Sequence, residues 1–338
     1  MIKLDENISK RIAILRYLLI FGIIVLHTPP YVPLAETGPG FFNFIKALFQ
    51  HAIFRASVPV LTFISGYLLF NSQLDLNFKK LIPKKIKSIL IPLIIFNLPI
   101  AVAVYFIQMN QWMDHVFSIN LYPFKLINWA NAIVGLFTAP INFPLNFLRD
   151  LFLLSVIAPV FGFFLRKYIW HGLIIVFFLF FFDLDGQFFL RNTMPILFYI
   201  GGMASIQKWD MSKLDKYGPL LLAIFLALCI SVVFFKIENR SYLRLVSPLL
   251  IWPAAAMLVN TRFGDWLAKL SKYSFFTFLA QGPLFLVAFF IYQKIFSGIP
   301  YWIFWILTPI ILALILAQIY IYSNRFFPKT MRIVLGNR

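Results

Sequence analysis

Residues 12–30 read IAILRYLLIFGIIVLHTPP, and the reading of this stretch decides the fold. Arg16 is the only charge between Ile12 and Leu26. A helix needs roughly 20 apolar residues to cross a hydrocarbon core, and this run supplies them. It ends in His27-Thr28-Pro29-Pro30 rather than in a small-residue cleavage site, so it reads as an uncleaved signal-anchor helix. The pattern recurs outward along the chain. It predicts helices near 12–30, 50–71, 88–108, 145–165, 171–184, 193–207, 217–236, 243–260, 275–293 and 300–322. A further segment near 126–139 reads as re-entrant or interfacial, because Pro140 and Pro144 bracket its end. The expectation is an all-α polytopic membrane protein, with about ten transmembrane helices in a single domain over 1–338.

Composition points the same way. Of the 338 residues, 61% are hydrophobic and 12% charged, which a soluble globule could not cover with polar surface. The net charge of +18 does not call for nucleic acid, because the basic residues sit mainly in short connections between apolar runs. There they suit topology and anionic lipid headgroups. Cys229 is the only cysteine, so an intramolecular disulfide and a cysteine-built zinc site are both excluded.

The positive-inside rule sets the expected orientation. With the N-terminus inside, the cytoplasmic segments hold 21 Lys or Arg and the outer segments seven. Arg191, Arg240 and Arg244 fall among the outer seven. Both termini are therefore expected in the cytoplasm. No internal repeat or inverted duplication appears, which weakens a transporter reading. The longest outer connection, 109–144, is rich in aromatic and amide residues such as Trp112, Tyr122, Asn128, Trp129 and Asn131. These suit a membrane interface and would also suit a sugar site.

Ionisable groups inside a bilayer are costly and mark function by default. Arg16 and His27 are eleven residues apart, which places them within about 20° of one helical face and roughly 16 Å apart along the axis. They read either as a cation and an imidazole on one stripe, or as a snorkelling arginine and an interfacial histidine. On the next helix Arg55, Thr62 and Gly66 share a face by the same arithmetic, and Ser65-Gly66 marks a close-approach spot. Asn142, Asn146 and Arg149 follow i, i+4, i+7 spacing and predict a polar stripe open to the outside, with Asp150 facing elsewhere. Lys79, Lys80, Lys84, Lys85 and Lys87 form a topogenic basic loop or, alternatively, a phosphate-binding cluster.

At these positions the chain resembles the acyltransferase 3 family of membrane acyltransferases. Arg16, ten intervening residues and His27 match the family's opening pattern. Arg55 to Leu69 match its Arg, Val-Pro and Phe-Ile-Ser-Gly-Tyr run, and Lys84 to Pro92 its basic stretch ending in Ile-Pro. Leu145-Asn146-Phe147-Leu148-Arg149-Asp150-Leu151 is similar to a Leu-Trp-Phe-Leu-Arg-Asp-Leu motif, with Asn146 replacing Trp. Ser271 to Leu279 are similar to a late Ser-x-x-Ser-Phe segment. That segment often continues to a histidine, where this chain has Gln281, a side chain that hydrogen-bonds but takes no proton at neutral pH.

The resemblance implies an acyl-CoA donor, usually acetyl-CoA, in the cytoplasm and a glycan or lipid-linked sugar acceptor on the far side of a bacterial inner membrane. It implies His27 as general base or transient acyl carrier. Arg16, Arg55, Ser65, Lys84, Lys85 and Lys87 are then candidates for the donor, and Asn142, Asn146, Arg149 and Gln281 for the acceptor. No metal is implied, and a homo-oligomer stays open. Two rival readings are a sugar transporter or flippase, which needs no base at His27, and a non-catalytic scaffold in which Gln281 marks lost chemistry.

Overall fold

A computed structural model describes residues 5–112, 119–184, 186 and 188–337. Lys3 and Arg338, counted above as cytoplasmic charge, lie outside the described residues, as does 113–118 of the long connection. The described residues form helices and connections, with no strand among them.

The order is α1 (Glu6–Leu26), α2 (Phe41–Ala47), α3 (Ser57–Asn71), α4 (Phe78–Lys85), α5 (Ile91–Met109), α6 (Leu126–Val134), α7 (Asn146–Lys167), α8 (Ile169–Phe181), α9 (Thr193–Ile206), α10 (Gly218–Phe234), α11 (Ser241–Val259), α12 (Arg262–Ile295), α13 (Tyr301–Phe326) and α14 (Pro328–Val334). Among the described residues, seven helical segments are long and apolar enough to cross a membrane: Phe41–Asn71, Phe78–Met109, Phe143–Lys167, Asp215–Phe234, Ser241–Val259, Arg262–Ile295 and Tyr301–Phe326. The other three expected spans correspond to α1, which carries Lys10, Arg11 and Arg16, and to the short helices α8 and α9.

Proline shapes two of the long segments. Pro59 cannot donate to the carbonyl of Arg55, and its ring crowds that turn. The chain accommodates it with a π-helical turn at Leu48–Ala52 and a 3₁₀ turn at Ile53–Ala56 before α3 begins. Pro92 acts likewise on Ser88, and a π-helical turn at Ile86–Leu90 joins α4 to α5. The expected helix 12–30 stops at Leu26 because Pro29 and Pro30 follow, and the expected helix 275–293 begins earlier, at Arg262, behind a Thr261 cap. The segment 126–139 becomes the nine-residue α6, too short to cross; it ends at Gly135, whose φ of 71° suits glycine.

The connections gather at two ends of the bundle. At one end Arg11 pairs with Asp215, Lys10 with Asp265 at 2.5 Å and Arg166 with Asp75 at 2.5 Å. Gly336 packs on the backbone of Ser88, so the C-terminal segment lies at this end with the start of α1. At the other end Tyr301 donates to the carbonyl of Pro29, Lys236 to those of Ala35 and Thr37, and Arg149 to those of Gly135 and Leu136. His27 belongs to this second end.

At the centre α3 lies directly on α9. Gly66 faces the carbonyl of Phe198 and Gly201 faces that of Phe63, so a Cβ at either position would meet backbone. This supports the close-approach reading of Ser65-Gly66. The Ser65 hydroxyl donates to Leu61 at 2.7 Å in its own helix.

Candidate active site

His27 closes α1: its N–H still bonds the carbonyls of Ile23 and Ile24, but its dihedrals leave the helix. The half-buried ring packs edge-on against Phe143, with centroids 4.9 Å apart. Its Nδ1 is enclosed and unpartnered among the described residues. The imidazole lines a cavity of about 210 Å³ together with Ile23, Phe54, Arg55, Pro144, Arg191, Thr193 and Arg244.

Three separate departures from regular structure bring the arginines there. Arg55 sits in the 3₁₀ turn that Pro59 enforces, so its side chain does not follow the helical face assumed from sequence. The shared face of Arg55, Thr62 and Gly66 is therefore not formed. Thr62 donates instead to Val58 at 2.8 Å, and Gly66 is spent on α9. Arg191 was expected in an outer loop. With 13 and 14 residues, α8 and α9 span only about 20 Å each, so their connection sinks into the bundle and carries Arg191 and Thr193 to the level of His27. Arg244 lies in the first turn of α11, directed into the same space.

The arginines differ in their partners. Arg55 donates from Nε to the Gln50 carbonyl at 3.1 Å and from Nη2 to the Tyr31 hydroxyl at 2.8 Å, both neutral groups. Tyr31 lies 3.4 Å from His51 Nδ1, which also lies 3.2 Å from Arg240 Nη1. His51 Nε2 is 2.8 Å from the Val32 carbonyl, an acceptor only, so Nε2 carries the proton and Nδ1 accepts. Arg240 in turn pairs with Glu238. For Arg191 and Arg244 no side-chain hydrogen bond or ion pair occurs among the described residues. No acidic residue lines the cavity among the described residues. A space of 210 Å³ is about 7 Å across, and like charges at that separation repel by roughly 2 kcal/mol per pair at an effective dielectric of 20.

The other expected site residues lie elsewhere. Arg149 is not an open ligand group. It donates to the carbonyls of Gly135 at 2.8 Å, Leu136 at 3.0 Å and Phe188, and to Asp150 at 2.8 Å. Asp150 thus faces Arg149 rather than away from it, since the guanidinium folds back beside its own backbone. The outward stripe is not formed either. The helix starts only at Asn146, and Asn142 is buried, donating to the Leu279 carbonyl at 3.1 Å. Asn97 accepts from the Asn142 backbone at 2.8 Å. Gln281 is fully buried, and both its amide atoms, with Oδ1 of Asn142 and of Asn146, lack partners among the described residues. Parallel packing from the Lys10–Asp265 pair onward sets Gln281 near the height of His27, since the two helices rise by nearly the same number of residues.

Arg16 is exposed and lines none of the cavities described. Near it runs a distinct apolar groove of about 510 Å³ between α1, α12 and α13, from Tyr17 past Ile20 to Ile24, with Ser274 and Thr277 on its wall. Lys84 and Lys87 are exposed and Lys85 half-buried, at the end of the bundle opposite His27.

Arg191, Arg244, Tyr31, His51 and Arg240 were missed as site residues. One signal was present. Three of the seven outer cations are arginines clustered at 191, 240 and 244, and arginine is the residue suited to forked recognition of oxyanions.

One cavity thus brings the His27 imidazole to several guanidiniums, and the chain belongs to the acyltransferase 3 family, whose acyltransferase domain it matches over residues 9–323. It is also 30% identical to the succinoglycan biosynthesis protein ExoH of Rhizobium meliloti (strain 1021), over 99% of this chain and 94% of that protein. No solved structure matches the chain.

Proposed function

We propose that the protein transfers an acyl group, in the simplest case acetyl from acetyl-CoA, to a hydroxyl of an extracytoplasmic or lipid-linked glycan. The observation that carries this reading is the His27 imidazole in a partly open, arginine-lined cavity at the end of the bundle remote from the lysine cluster. Support also comes from a full-length relative whose name assigns it to polysaccharide biosynthesis. The chain crosses a bacterial inner membrane ten times, with both termini in the cytoplasm. Lys84, Lys85 and Lys87 attract the CoA phosphates there, and the groove from Tyr17 to Ile24 offers the pantetheine arm a route along α1.

His27 takes the proton of the sugar hydroxyl as its oxygen attacks the thioester carbonyl. Arg55 faces the charge that develops on the carbonyl oxygen. The C–S bond breaks, the acyl group stays on the sugar oxygen, and the proton returns to the CoA thiolate.

His27→Ala tests the assignment. Protein-dependent transfer from labelled acyl-CoA to surface glycan, read by mass spectrometry, is expected to fall by about 10²- to 10⁴-fold. Unchanged transfer at normal expression removes His27 as the base. Absence of CoA binding to the purified protein at any salt concentration removes the donor.

A further inference from the structure

The charge balance of the bundle singles out one place. Among the described residues, Arg11 is paired with Asp215, Arg149 with Asp150, Arg166 with Asp75 and Arg240 with Glu238. The arginines that stay without an acidic partner while lining a cavity are Arg55, Arg191 and Arg244, and all three line the same one. Arg191 feels the carboxylate of Asp150, which is already paired with Arg149, so the three half-buried cations are neutralised only in part, and such a cluster in a bilayer protein is costly. A transient oxyanion does not balance it, because that charge exists only during the reaction and needs one or two donors. The residues are arginine throughout, which favours a planar or tetrahedral oxyanion held by forked donors over a simple halide.

We propose that this cavity is a subsite for a fixed anionic group, a carboxylate or phosphate, that one substrate carries in addition to its reacting atoms. The inference rests on the acyl-transfer reading for the identity of the substrates, though not for the anion itself. The group arrives on the acyl chain or on the glycan. In either case it lies within the same small cavity as the His27 ring, so it sits a few bonds from the atoms that react. Arg191 and Arg244 hold it, and Arg55, already oriented by Gln50 and Tyr31, remains beside the carbonyl.

Anion binding is tested without catalysis, by thermal unfolding of the purified protein in nanodiscs with glutarate, inorganic pyrophosphate or neutral glutaramide. Either anion is expected to raise the unfolding temperature, glutaramide to leave it unchanged, and the R191Q/R244Q protein to lose the rise. No rise with either anion, or an equal rise in the variant, overturns the proposal. Should the glutamine pair not fold, R191K/R244K keeps the charge and removes the forks. A weakened midpoint then supports the subsite, and an unchanged one overturns it.

Transfer assays locate the source. Acyl-CoAs of equal length ending in methyl or in carboxylate are compared, each with native or carboxyl-reduced polysaccharide of the host strain. The paired variant is expected to lower kcat/KM about tenfold or more for the partner that bears the anion, and much less for its neutral counterpart. The arm in which this difference appears names the source. Equal losses in every arm overturn the proposal. If the wild-type protein transfers nothing in any arm, the acyl-transfer reading fails, and the unfolding measurements alone decide the anion subsite.

Discussion

Arg149 and the trio Arg55, Arg191 and Arg244 sit at the same end of the bundle, yet they are opposite kinds of arginine. Arg149 has spent its donors on three carbonyls and one carboxylate, and it ties the connections at Gly135 and Phe188 to α7. The trio leaves guanidinium donors facing a partly open space that holds no acid. Arg149 is buried and the trio half-buried, and the census of partners separates them further. An arginine that donates from all three of its nitrogens to protein acceptors holds the protein together. Arginines that share a cavity with a histidine and form no ion pair are available to a ligand.

The largest effect that would sharpen this contrast is His27→Ala. Transfer should fall by about two to four orders of magnitude while the unfolding temperature barely moves, because the ring is half-buried and makes no side-chain hydrogen bond among the described residues. A large loss of stability would merge the two classes. Arg149→Ala should do the reverse. It leaves Asp150 as a buried, unpaired carboxylate and should cost about 3–5 kcal/mol, read as loss of the folded monodisperse protein. Adding Asp150→Asn should return part of that stability. If Arg149→Ala folds normally but fails to bind glycan, Arg149 belongs with the trio. Gly201→Ala should cost about 1–3 kcal/mol through contact with the Phe63 carbonyl, lowering stability and transfer together. The smallest effect is expected of Ser231→Ala, whose exposed hydroxyl bonds only its own helix, within about 0.5 kcal/mol of wild type by thermal unfolding.

Most of the helices were legible in the sequence, because a bilayer demands long apolar runs and this chain supplies them. His27 and Arg55 were legible as expensive polar residues in such runs. Arg191 was not. Its depth depends on how short α8 and α9 are relative to their neighbours, a three-dimensional quantity with no local mark. The shared face of Arg55 and Thr62 failed for a different reason. Helical arithmetic assumes an unbroken helix, and Pro59 breaks this one at the position that matters. Asn142 was misread because the helix to which its spacing was referred begins four residues later. The sign was present at each of these places, but the period used to read it did not hold.

The shortness of α8 also has a consequence for the surrounding lipid. The outward-facing α8, about 20 Å long, falls short of a hydrocarbon layer of about 30 Å, so acyl tails beside it would compress or tilt to cover the mismatch. Such a mismatch would thin the leaflet next to the His27 cavity. A water-loving sugar can descend there without entering oil. Bilayers of long, saturated chains, which resist denting, should slow the enzyme, whereas thin ones should favour it.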